Sequence, residues 1–201
     1  YWNNWVNAED WPLGEFVTMT IEDPNTPASP DYSDTGTIQP VSWNSNPGYS
    51  WYLNGFFDVQ PGQVITISNG EITKTLVVSQ IEVTEINKDI DVVSGLGAPN
   101  LRLGVWANGA YVETVTGPTG EWAASFVGIT DLIPGSFGSA KLYDEDGDST
   151  HTDWQLANPS ISVRMLEKRV QGYGWPLGAT VTLYLDDSDI PGSPDYTDTQ
   201  T

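Results

Sequence analysis

The sequence predicts an all-β protein: two small antiparallel β-sandwiches and then the opening strands of a third. Three observations carry this. The polar residues are mostly Thr, Ser, Asn, Asp and Gly, accompanied by 9 Trp and 9 Tyr. That mixture suits strands and turns, and no long window has a helix-forming Ala/Glu/Lys/Leu composition. Short alternating apolar runs are separated by Gly, Pro and Asn turn signals. A long segment near the start also recurs, without a gap, near the end.

The recurrence sets the organisation. Trp11-Pro12-Leu13-Gly14 returns as Trp175-Pro176-Leu177-Gly178, and Ser29-Pro30-Asp31-Tyr32 as Ser193-Pro194-Asp195-Tyr196, both 164 positions later. Val6 aligns with Val170. Val17, Met19 and Ile21 alternate with Phe16, Thr18 and Thr20, just as Val181, Leu183 and Leu185 alternate with Thr180, Thr182 and Tyr184. Each window reads as one half-buried strand followed by a long Asp- and Pro-rich loop. The expected division is a β-sandwich over 1–79, a second over 80–158, and a partial next repeat over 159–201. The chain opens at Tyr1 with no methionine or leader, so it reads as a processed or excised piece. A partial unit leaves strand edges that another chain must pair, or that fold back or fray.

Within the period, Asn69-Gly70 between Val64–Ser68 and Glu71–Val78 predicts a hairpin with a type I′ turn, and Asn108-Gly109 predicts another. Gly117-Pro118-Thr119-Gly120 turns the chain into Glu121–Val127. Leu101, Leu103 and Val105 share a face opposite Arg102. Asp58-Val59-Gln60-Pro61-Gly62 and Asp131-Leu132-Ile133-Pro134-Gly135 echo one another, each with an apolar residue able to plug the end of a sandwich. The boundary between the sandwiches falls near Ser79–Asn87, unless Leu76–Ile86 forms one strand crossing it.

Charge and composition exclude several functions. With 27 acidic and 7 basic residues the net charge is −20, which opposes nucleic acid and anionic membranes. No stretch approaches the length of apolar chain that spans a bilayer. Cysteine is absent, which removes disulfides, thiolate metal sites and cysteine nucleophiles. His151, the single histidine, has Ser149 and Asp153 nearby, but adjacent strand positions alternate faces and no nucleophile elbow is present. No pair of acids stands out as a glycosidase pair. The chain reads as non-catalytic.

The best chemical candidate is Asp144-Glu145-Asp146-Gly147-Asp148-Ser149-Thr150. Asp144, Asp146, Asp148 and Thr150 place oxygen atoms at alternate positions, as a calcium site needs, without the EF-hand pattern; the plainer reading is an acidic hairpin tip. The loops Glu22–Asp34 and Asp186–Asp198 hold further acids at irregular spacing and read as solvated loops. Trp43, Tyr49, Trp51 and Tyr52, with Trp2 and Trp5, belong either to core and junctions or to a sugar-stacking platform. Trp11, Trp175, Val181, Leu183 and Leu185 are the expected interface residues between repeats.

Val93-Ser94-Gly95, Leu101–Val105, Thr114-Val115-Thr116, Gly120-Glu121-Trp122 and Phe126 together resemble bacterial immunoglobulin-like (Big-type) domains, over roughly residues 85–145. The whole period, with Trp-Pro-Leu-Gly, Pro-Asp-Tyr and Asp153-Trp154 through Asn158-Pro159, resembles tandem repeats of large extracellular proteins of environmental bacteria, Chloroflexi among them. The resemblance implies immunoglobulin-like sandwiches, an extracellular or cell-surface location, and a spacer, adhesin or surface-polymer role without a catalytic residue. The expectation is a structural repeat of a filament, stalk or surface layer, partnered by copies of itself or adjacent repeats. The alternative is an adhesin or glycan-binding module; calcium is the one expected cofactor.

Overall fold

The computed structural model describes residues 4–42 and 45–201, and among these every regular element is a β-strand. The chain divides into two compact units, residues 1–132 with 137–154, and residues 133–136 with 155–201.

The first unit holds two sandwiches. Strands β1 (Trp5–Glu9) and β4 (Gly48–Tyr52) form one sheet, and β2 (Phe16–Glu22), β3 (Tyr32–Thr37), β5 (Val64–Ser68) and β6 (Thr73–Val77) form another in the order β3-β2-β5-β6. The alternation read in β2 is the one observed: Val17, Met19 and Ile21 are completely sealed and their neighbours are not. They meet Ala8, Trp11, Ile38, Trp51, Leu53, Ile65 and Ile67 in the first core. The second sandwich pairs β11-β8-β7 against β10-β9-β12-β13, where β7 is Ile81–Asn87, β8 Val92–Gly97, β9 Arg102–Ala107, β10 Ala110–Val115, β11 Glu121–Ser125, β12 Phe137–Tyr143 and β13 Ser149–Gln155. Its core gathers Val93, Leu103, Val105, Trp122, Phe126, Leu132, Leu142 and Trp154. Each sandwich carries a buried Trp on the strand that closes its smaller sheet, Trp51 on β4 and Trp122 on β11. Their indole N–H groups have no hydrogen-bond partner, so packing holds the rings.

The turns are explained by their residues. Asn108 and Gly109 both take positive φ, 50° and 86°, as a type I′ turn requires. The other hairpin departs from expectation. Asn69 and Ile72 pair around Gly70-Glu71, and of these Gly70 alone has positive φ, at 93°. That is the type II′ position for glycine. Asn69 instead caps the turn, its Oδ1 accepting from Glu71 N at 3.0 Å and Ile72 N at 2.7 Å. The strand suggested across Leu76–Ile86 is interrupted: β6 stops at Val77, Val78 drops into the first core, and β7 begins at Ile81. Leu132 lies in the second core and Val59 packs against the first, as the two Pro-Gly echoes suggested.

The second unit contains two strand pairs, β14 (Ser160–Arg164) with β15 (Arg169–Tyr173) and β16 (Val181–Leu185) with β17 (Tyr196–Gln200). The repeat is reproduced down to its loop bonds. Asp31 Oδ2 accepts from Asp23 N at 2.6 Å, and Asp195 Oδ2 accepts from Asp187 N at 2.6 Å. Thr26 N donates to Asp23 O at 3.0 Å and Ile190 N to Asp187 O at 3.0 Å. Ser29–Pro30 and Ser193–Pro194 are both cis.

Candidate functional site

The acidic heptapeptide is the β12–β13 loop. Gly147, at φ 94°, lets it turn sharply, and Asp144 N donates to Asp148 O at 2.9 Å. Asp146 N donates to Asp144 Oδ1 at 3.2 Å, which orients that carboxylate inward. One oxygen from each of Asp144, Asp146 and Asp148 lies within 4.8 Å of the others. Three of the four residues singled out in the sequence therefore converge. Thr150 does not join them: its Oγ1 accepts from Ser79 N at 3.0 Å, on the segment that enters the second sandwich.

A cation already stands at the cluster, and it comes from the first sandwich. Lys74 Nζ, on β6, hydrogen-bonds Asp146 and lies 3.2 Å from Asp148 Oδ2. Asp148 Oδ2 is sealed from water and makes no directed hydrogen bond, so its compensation is this ion pair. The electrostatics follow. Hydrogen bonding to Asp146 raises the Lys74 ammonium above its ordinary range, and the bond from Lys74 holds Asp146 below the usual carboxylate range. Partial burial, reinforced by Asp146 and Asp148, pushes Asp144 up. One ammonium thus meets two of the three clustered carboxylates, Asp146 and Asp148, and offsets only part of the cluster's repulsion.

One further contact belongs to the same junction of the first unit. His151 on β13 packs against Trp5 of β1, with ring centroids 5.7 Å apart and the planes tilted by 44°. Burial lowers the His151 pKa below its ordinary value, and Lys141 adds to this, while Asp153 and Glu9 pull the other way. His151 is thus a packed junction residue. Sequence reasoning missed Lys74, 72 positions from Asp146, because its one local signal is a lone Lys on an alternating strand.

The predicted interface residues separate by copy. Trp11 is 6% exposed and belongs to the first core; its counterpart Trp175 is 43% exposed. Val181 and Leu183 are half-buried and Leu185 is exposed, whereas Val17, Met19 and Ile21 are all sealed. Of the proposed aromatic row, Trp51 is in the core, Tyr49 packs edge-on against it at 4.9 Å, and Tyr52 is exposed. Trp2 and Trp43 lie outside the described residues. The acids of the Glu22–Asp34 loop are largely engaged within it. Asn25 N donates to Asp23, whose carboxyl that bond holds low, and Thr26 Oγ1 donates to Asp31 at 2.5 Å.

No protein-family model matches the chain, and no curated protein matches it. Among solved structures it is similar to a tetra-tandem repeat in the extending region of a large adhesion protein, at 17% identity and a TM-score of 0.28, covering 96% of this chain and 56% of that one. It is also similar to the BSP domain of a biofilm associated protein, at 14% identity and a TM-score of 0.30, covering 71% and 25%. The chain thus spans about half the length of the first and a quarter of the second. Neither superposition is close enough to transfer a fold or a role.

Proposed function

We propose that this chain is a non-catalytic structural repeat of an extracellular filament, stalk or surface layer, joined head to tail to adjacent repeats or copies of itself. One observation carries the reading: the same segment occurs twice, sealed in the first copy and open in the second, with its loop hydrogen bonds intact in both. A segment that keeps its conformation but lacks its covering strands is suited to receiving them from a neighbour. The charge of −20 without cysteine fits a soluble surface that needs no disulfide. Within the repeat, Lys74 and the Asp144–Asp148 loop act as a polar clamp between the two sandwiches of the first unit. Calcium is the second cation of this reading. It enters beside Asp144 to offset the charge that Lys74 leaves, and millimolar calcium raises the melting temperature, more so in Lys74→Ala.

Electron microscopy of the native material before any denaturing step tests the function. Uniform fibres with an axial repeat the size of this chain are expected, and deletion of residues 165–201 abolishes end-to-end association. Isolated short particles that associate no differently after the deletion refute it. The adhesin or glycan-binding alternative rests on exposed aromatics, and burial of Trp51 weakens its best row. Saturable binding on a polysaccharide array, lost on Tyr52→Ala, would restore it.

A further inference from the structure

The second sandwich displays a strand order against which the first can be measured. Counting β7 to β13 as strands one to seven, its sheets run five-two-one and four-three-six-seven. If β1 is counted as strand two, the four-stranded sheet of the first sandwich, β3-β2-β5-β6, is again four-three-six-seven, and its other sheet, β4-β1, is five-two. Among the described residues, strand one has no counterpart beside β1.

The open edge can be identified from the backbone. Asn4 O accepts from Leu53 N at 2.8 Å and Asp10 N donates to Pro47 O at 3.0 Å, so the even-numbered residues of β1 direct their peptide groups at β4. Successive residues of a strand alternate, so Trp5 and Asn7 direct theirs at the opposite edge. In the second sandwich the corresponding edge of β8 is filled by β7, which joins it through the four-residue loop Lys88–Asp91, with Asp91 at φ 49°.

The second unit contains the missing piece. β15 lies 164 positions after β1, and β14 is paired with it. The connection is again four residues, Met165–Lys168, and its last residue, Lys168, has φ 48°. This hairpin repeats that of β7 and β8. In β14, Val163 stands opposite Val170 and Ile161 opposite Gly172, the counterparts of Val6 and Ala8. Ile161 and Val163 are 70% and 58% exposed where they stand. Val6, which packs against the first core, is itself only half-buried.

We propose that the outer edge of β1 is a receptor for one strand, of the sequence Ser-Ile-Ser-Val-Arg seen in β14, delivered by the repeat that precedes it. The strand lies antiparallel, with its Val opposite Val6 and its Ile opposite Ala8. Asn4 stands at the position of Lys168, and Asn tolerates the left-handed backbone that the turn requires. The added side chains extend the first core, and the completed sheet reads five-two-one. The inference deepens the head-to-tail reading and rests on it only for the source of the strand.

The test is the full chain carrying Ser-Ile-Ser-Val-Arg directly ahead of Tyr1, compared with the unextended chain and with a Ser-Pro-Ser-Pro-Arg extension, by amide hydrogen exchange. Exchange at Trp5 and Asn7 is expected to slow by about tenfold or more with the matched extension alone. The β8 amides, already paired on both sides, serve as the folding control. Unchanged exchange at the two amides, or equal slowing by the proline version, overturns the proposal. The same peptide added free protects less, because tethering raises its effective concentration; equal protection overturns delivery within the chain. Slowed exchange in material that forms no fibres upholds the receptor edge and removes the head-to-tail function.

Discussion

Met19 and Leu183 occupy the same place in a repeated strand, yet Met19 is sealed and Leu183 is not. The strand pairs β2–β3 and β16–β17 share their alternation, their loop bonds and their register, with Met19 opposite Asp34 and Leu183 opposite Asp198. What differs is the company. β2 also pairs with β5, and its inner face meets Trp51 and Leu53, whereas among the described residues β16 pairs with β17 alone. Burial is therefore conferred on this pattern by strands far away in sequence; the pattern supplies only the face to be covered.

The largest expected effect divides the two copies at that position. Met19→Ala should cost about 2–5 kcal/mol by leaving a cavity in the first core, while Leu183→Ala should cost less than about 1 kcal/mol. Denaturant unfolding followed by exchange at β2 and β16 reads both. Equal losses would mean that the second copy is covered in solution. The next test uses a natural difference between the copies. Gly36 lies beneath the Tyr49 ring, which a Cβ there would strike, and its counterpart is Gln200. Gly36→Gln is expected to destabilise the first sandwich by about 1–3 kcal/mol, and Tyr49→Ala in the same chain to recover part of it. No loss would mean that the Tyr49 ring moves aside freely.

Smaller effects belong to the clamp. Lys74→Ala should lower the melting temperature by about 1–3 °C at low salt and by almost nothing at high salt, since the pair is partly exposed and screened. A loss that persists in high salt would assign Lys74 a packing role. The smallest effect is acid loosening at His151. A histidine whose folded pKa is depressed contributes stability that is complete above the unfolded value near 6.5 and is lost as pH falls through the folded value. Wild type should therefore lose stability between pH 7 and 5 more than His151→Gln does, with a change in Trp5 fluorescence. Parallel pH profiles would remove His151 from the junction's energetics.

Much of the molecule was legible along the chain. Alternation located β2 and β16 and the face that β2 turns inward, Asn-Gly marked both hairpins, and the offset of 164 tied the ends together. The turn at Asn69 was misjudged because Gly70 suits either primed type, and the choice depends on which residues pair across it. Three of the four proposed oxygen donors converged, because a short loop around Gly147 leaves them little room to separate.

Sequence alone determined the strand class, the inward faces, the acidic loop and the repeat, since each depends on residues a few positions apart or on identity between segments. Only the tertiary structure decided that Lys74 meets Asp146, that Thr150 binds Ser79, that Trp11 is sealed while Trp175 is not, and that β1 pairs with β4. Each of these is a choice of partner between distant segments. The periodicity of a strand specifies which face must be covered and which edges can pair, and folding chooses the segment that does so.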